Sequence, residues 1–267
     1  MYAFDYHRPA TVRQAAGLLA KKEDAKLLAG GQTLLPTMKQ RLAAPPHLID
    51  LSRVDDLKGI AVKGRSLVIG AMSTHYEVTT SAIVGEAIPG LAALAGLIGD
   101  PAVRHKGTIG GSVANNDPSA DYPAALLAMG ATVITNKRKI PADEYFQGLF
   151  TTALEDGEII TKVSFPIPGK FGYAKFRHPA SRYALVGVAV AKRGSDIRVT
   201  VTGAGADGVF RWAAAEAALK ARFAVKSLDG LEHGPEGING DIHGSPEYRG
   251  HLIGVMAKRA VASALGK

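Results

Sequence analysis

Apolar positions along the 267-residue chain fall into short runs broken by glycine, proline and charged turns. Thr11 followed by Gln14 forms a capping signature, which predicts a helix over residues 11–20. The short apolar run 26–29 predicts a buried strand leading into Gly30-Gly31-Gln32-Thr33. A helix over 36–42, with proline in its first turn, and a strand over 48–51 complete a small α–β–α–β unit.

Residues 66–71 read as a strand, and alanine-rich helical stretches are expected between 75 and 98. The segment 99–121, GDPAVRHKGTIGGSVANNDPSAD, has little helical periodicity. So long a structureless stretch inside a compact chain reads as a functional loop. Asp121 is placed to cap a helix over 122–129, which Gly130 would end. Strands are expected at 131–135 and 158–165, and Pro166-Ile167-Pro168-Gly169 is the best domain boundary. Beyond it, strands at 173–177, 185–191 and 197–202 precede helices at 211–219 and 246–265.

Composition narrows the classes. Hydrophobic residues make up 46% and charged residues 21%, a globular balance. The chain has no cysteine, which excludes disulfides, thiolate zinc sites, cysteine nucleophiles and cysteine-bound iron–sulfur clusters within it. That composition suits a reducing compartment. No apolar run reaches the roughly 18 residues of a membrane span, and MYAFDYHRPA lacks a signal-peptide pattern.

The net charge is +8, split as +2 over residues 1–172 and +6 over 173–267. This excess is the support for a nucleic-acid-binding or scaffold reading. Its longest basic run, Lys137-Arg138-Lys139, has no interleaved aromatics and reads as a solvated turn. The C-terminal excess fits an acidic partner or an anionic ligand better. The histidines are scattered without metal-site spacing, so no metal ligands are expected; there is no serine-nucleophile elbow either.

Two loops carry the candidate chemistry. Ala29-Gly30-Gly31-Gln32-Thr33 joins a strand to a helix start, where glycine backbone can approach a phosphate closely. Thr108-Ile109-Gly110-Gly111-Ser112 repeats the double glycine beside hydroxyls. Ser112, Asn115, Asn116 and Asp121 could bond the hydroxyls of a ribose or ribityl chain. Each loop alone reads better as a tight connection; together they suggest one ligand with two phosphates, on a par with that simpler reading. His178-Pro179-Ala180-Ser181-Arg182-Tyr183 reads either as an ordinary hairpin loop or as a carrier of a ring for a planar cofactor.

The segments LLAGGQTLLPTMKQRLAAPPHLIDL, GAMSTHYEV, GDPAVRHKGTIGGSVANNDPSAD and YRGHLIGVMAKRAV resemble, in register, the FAD-binding medium subunits of molybdenum hydroxylases. That family includes aerobic carbon monoxide dehydrogenases and xanthine dehydrogenases. The resemblance implies an α+β fold: a p-cresol methylhydroxylase-type FAD domain in two subdomains (1–55 and 56–170) plus a C-terminal α+β domain (171–267). It assigns FAD contacts to Ala29–Thr33, Thr108–Ser112 and Asp121. Lys175, or Arg177 in an alternative register, falls near the flavin, and Tyr183 beside the isoalloxazine. Arg182 stands where many relatives carry an acid.

The implied cofactor is non-covalent FAD, with the molybdenum cofactor and two-iron clusters on a large and a small partner subunit. A dimer of heterotrimers is implied, in the cytoplasm or at the inner face of the membrane. Electrons would leave to NAD, a quinone or oxygen, with no catalytic side chain required in this chain. A standalone FAD oxidase on the same fold is the enzymatic alternative.

Overall fold

A computed structural model describes residues 1–267. The first unit comprises β1 (Asp5–His7), α1 (Val12–Lys21), β2 (Lys26–Leu28), α2 (Leu34–Lys39) and β3 (His47–Asp50). Its three strands are parallel in the order β1-β3-β2. Thr11 caps α1 by accepting from the Gln14 amide, and Gln14 reaches back to the amide of Ala10. Apolar residues of α1, including Ala15, pack with Ile49 and Leu51.

The central unit opens with β4 (Ile60–Lys63) and β5 (Ser66–Gly70). Helices α3 (His75–Thr80), α4 (Ala82–Ala87), α5 (Pro89–Gly96), α6 (Pro101–Arg104), α7 (Ile109–Asn115) and α8 (Tyr122–Met129) follow. It closes with β6 (Thr132–Thr135), β7 (Lys139–Pro141), α9 (Ala142–Tyr145), the hairpin β8 (Phe146–Gly148) and β9 (Thr151–Thr152), and β10 (Ile160–Pro166). The antiparallel sheet runs β4-β5-β10-β6-β7.

The last unit is an antiparallel sheet of β11 (Lys170–Arg177), β12 (Ala184–Arg193), β13 (Asp196–Thr202) and β14 (Phe210–Arg211). Helices α10 (Ala213–Ala221) and α11 (Pro246–Ala264) pack on it. Helix α8 is buried along its whole length because it is enclosed between sheets. Thr200 and Thr202 of β13 donate to the carbonyls of Ala124 and Ala120, tying the central and last units together.

The structure corrects several expectations. Segment 99–121 contains two short helices. Asp100 caps α6 and Thr108 caps α7, while Asn116 ends α7 in the left-handed conformation (φ +43°). The paired glycines masked α7, because tertiary contact holds the backbone where propensity does not. Asp121 occupies the cap position of α8 but makes no capping bond; its carboxylate is engaged elsewhere. The short strands β1, β4, β7, β8, β9 and β14 had no recognisable period of their own. Within 173–267, Arg198 pairs with Asp143 and Asp196, Arg211 with Glu216, Arg249 with Asp241 and Lys258 with Asp229, and a net positive excess remains on this unit.

Candidate functional site

The two double-glycine loops meet. A Cβ on Gly30 would lie 2.2 Å from the Lys106 carbonyl oxygen and 2.7 Å from Gly107 Cα, so the backbone leading into α7 rests directly on the first loop. A Cβ on Gly110 would lie 2.6 Å from Ala71 Cβ and 2.7 Å from the Ala71 carbonyl oxygen, which fixes α7 against the end of β5. These are chain-to-chain approaches that only glycine permits. Gly31 adds a conformational demand, with φ at +70°.

Both loops open onto one cavity of about 670 Å³, a size typical of cofactor sites. From the first loop Ala29 through Thr33 line it; from the second, Thr108, Gly110, Gly111 and Ser112 do. Ile109 is instead fully buried in the central core. Asn115 reaches the cavity, whereas the Asn116 side chain donates to the carbonyls of Gly148 and Thr151 and holds the β8–β9 hairpin. The expectation that Asn116 binds a sugar hydroxyl is therefore corrected: its amide donors are already used within the fold.

Asp121 also lines the cavity. Its carboxylate accepts from the Tyr173 hydroxyl and, at 2.9 Å, from Lys175 Nζ. Burial pushes the Asp121 carboxyl upward, and the Lys175 ammonium and Tyr173 hydroxyl oppose that. Lys175 itself is covered, with 1% of its side chain exposed, so it stands behind Asp121 rather than on the cavity wall. Arg177 ends β11 on the exposed side.

Tyr183 lines the cavity and remains 46% exposed. Its loop is short and pinned. His178 Nδ1 accepts from the amides of Ala180 and Ser181, and the His178 and Tyr183 backbones are bonded across the turn. Arg182 takes φ +62°, an uncommon conformation for a non-glycine residue. The Tyr183 hydroxyl is pushed upward by burial and by the nearby Asp117 and Asp121 carboxylates.

Two wall residues gave no sequence signal. His75, at the start of α3, is buried with Nδ1 lacking any protein partner. Burial, with the Arg104 charge, pushes its imidazole down to about 4, so it is neutral near pH 7. Glu158 also lines the cavity; the Arg138 guanidinium bonds it through both carboxylate oxygens and holds it at about 2. The polar surroundings of His75 and the turn before Glu158 gave no hint of burial.

A dinucleotide fits this arrangement. Two glycine cradles share one cavity, hydroxyls of Thr33, Thr108 and Ser112 stand beside them, an unpartnered histidine nitrogen sits in the wall, and an aromatic ring lies at the mouth.

The family model for the FAD binding domain in molybdopterin dehydrogenase matches residues 2–168. The chain is 37% identical to the carbon monoxide dehydrogenase medium chain of Afipia carboxidovorans, over 98% of this chain and 96% of that one. It is 36% identical to the nicotine 6-hydroxylase medium subunit of Paenarthrobacter nicotinovorans, over 98% and 97%. Among solved structures, carbon monoxide dehydrogenase from Hydrogenophaga pseudoflava lacking the Mo-pyranopterin moiety superposes with a TM-score of 0.88. The identity there is 36%, covering 99% of this chain and 98% of that one.

Proposed function

The chain belongs to the family of the FAD binding domain in molybdopterin dehydrogenases, and from that membership we propose that it relays electrons within a multi-subunit molybdenum hydroxylase. In this reading a large subunit holds the molybdenum cofactor, a small subunit holds two-iron clusters, and the assembly is a dimer of heterotrimers. Electrons leave to NAD, a quinone or oxygen. The complex works in the cytoplasm or at the inner membrane face; no helix of this chain is long and apolar enough to cross a membrane. The division into domains 1–55, 56–170 and 171–267 is part of the same proposal, and the separation of the three larger sheets supports it.

The observation that carries the reading is the convergence of both glycine loops on one cavity with Tyr183 at its mouth. FAD, when bound, accepts electrons singly and can release them as a pair. The chain's own contribution is positional. Gly30, Gly31, Gly110 and Gly111 let backbone approach the pyrophosphate, and Thr33, Thr108 and Ser112 offer hydroxyl bonds. Asp121, seated on Lys175 and Tyr173, presents a fixed carboxylate. Tyr183 covers the ring face and regulates access for the acceptor. The absence of cysteine supports a source of electrons on another chain.

Flavin released by denaturation is expected to chromatograph as FAD. FMN, or no flavin after incubation with FAD, overturns the assignment. Purification from the native host is expected to bring down a cysteine-rich small subunit and a large subunit, while the isolated chain turns over no substrate. A single-chain enzyme with its own turnover would instead establish the standalone oxidase.

A further inference from the structure

The parallel pairing of β1 with β3 sets Asp5 opposite His47, and His7 two residues further along β1. Alternation along a strand turns Asp5, His7 and His47 to one face, while Tyr6 and Asp50 bond to each other on the other. The result is a cluster of two imidazoles and a carboxylate that the flavin site does not use.

Two of its separations match the edge of a tetrahedral coordination shell, and the exposed Asp5 carboxylate can swing to close the third. His7 Nε2 lies 3.4 Å from His47 Nδ1, and His47 Nδ1 lies 3.3 Å from Asp5 Oδ2. The three ligand atoms all fall within 4.8 Å of one another. Ligands about 2.0–2.1 Å from a tetrahedral zinc ion stand roughly 3.3 Å apart. Hydrogen bonding alone serves the cluster poorly: a single proton on His47 Nδ1 can be directed to one of its two neighbours, whereas a cation between the three satisfies all of them. We propose that Asp5, His7 and His47 bind one zinc ion.

The donor set argues for the class of metal. Two imidazoles and one carboxylate suit zinc or another late transition ion, whereas magnesium and calcium take oxygen ligands. Exposure argues for the character of the site. The His47 side chain is 19% exposed and that of Asp5 72%, so one ligand is seated in the fold and another is free to swing. With three protein ligands, the fourth position belongs to water, and the ion is exchangeable. Binding crosslinks β1, close to the N-terminus, to β3 of the first glycine-loop unit.

The test is equilibrium dialysis of the untagged, flavin-loaded full-length chain against zinc chloride, followed by elemental analysis. One zinc per chain is expected. His7→Ala and His47→Ala should each weaken it by about tenfold or more, Asp5→Asn should weaken it less, and His243→Ala should leave it unchanged. His243→Ala is the control because His178 and His243 form a separate imidazole pair at 3.2 Å. Zinc should also raise the unfolding midpoint of the wild type and not that of the His7 and His47 variants. If His47→Ala fails to fold, His7→Ala and Asp5→Asn decide. Absence of stoichiometric zinc, zinc binding that survives His7→Ala, or its loss in His243→Ala overturns the proposal. None of these outcomes bears on the flavin assignment, because flavin content is read separately.

Discussion

In the first glycine loop the special residue is a turn: Gly31 holds φ +70° between β2 and α2. In the second, both glycines lie inside α7 with ordinary helical backbone, and Thr108 caps the helix by accepting from the Gly111 amide at 3.1 Å. Glycine therefore answers two needs. At Gly31 it supplies a backbone conformation; at Gly30 and Gly110 it supplies the absence of a side chain where two chain segments touch. The sequence shows two similar GG pairs; all four glycines line the cofactor cavity, yet only the first members also hold chain segments together by close contact.

The largest expected effect comes from breaking the inter-segment contacts. Gly110→Ala should cost about 3 kcal/mol, because the new methyl meets the Ala71 backbone rather than a movable side chain. Gly30→Ala should cost as much through Lys106 and Gly107. Denaturant unfolding of the flavin-free chain checks both. A loss confined to flavin affinity, with stability unchanged, would erase the distinction between the two glycines of each pair.

A second effect of similar size probes the seat of the second loop, where the amide of His75 donates to the Gly107 carbonyl. The folded state keeps His75 neutral down to about pH 4, against an ordinary value of 6.5. Below 6.5 the unfolded chain takes up a proton that the fold refuses. Stability should therefore fall by up to about 3 kcal/mol as pH drops from 6.5 to 4. His75→Gln should flatten this slope. The Glu158 contribution has a different window: its folded value is depressed to about 2, so its stabilisation is complete above the ordinary 4.5 and is lost on acidification towards 2.

Gly31→Ala should be milder for the fold, costing about 1–2 kcal/mol for the left-handed conformation. The added methyl meets the Leu35 and Leu28 side chains, which can move. FAD affinity measured by calorimetry should fall about tenfold, or ~1.4 kcal/mol. Gly111→Ala should change stability by less than about 1 kcal/mol. Its methyl crowds the Thr108 hydroxyl at 3.0 Å, while alanine favours the helix.

The smallest effect is expected at Tyr183. Removing a stacked ring costs about 0.5–1.5 kcal/mol beyond lost burial, so Tyr183→Ala should retain most of its flavin. Flavin fluorescence should rise, and stopped-flow reoxidation by the acceptor should change more than reduction through the clusters. Unchanged fluorescence and unchanged half-reactions would make Tyr183 an ordinary loop residue.

Much of this architecture was legible along the chain because it is written in local terms. The Thr11 cap, the apolar runs of β3, β5 and β12 and the Gly130 stop of α8 depend on neighbours a few residues away. The two glycine pairs were visible for the same reason, and so was the passage between sheets at residues 167–169. Helix α7 was not, since a GG sequence disfavours a helix and packing against Ala71 holds this one in place. Asp121 read as a cap because its neighbours are local; its actual partners, Tyr173 and Lys175, are more than fifty residues away. Asn116 was likewise diverted to carbonyls over thirty residues downstream. His75 acquires its depressed proton affinity only by burial, and Asp5, His7 and His47 become neighbours only through strand register. Sequence by itself determined the longer helices and strands and where the glycine pairs fall, because propensity, capping and periodicity act over a few residues. Tertiary structure alone decided which polar groups meet, since burial and long-range pairing are properties of the folded chain.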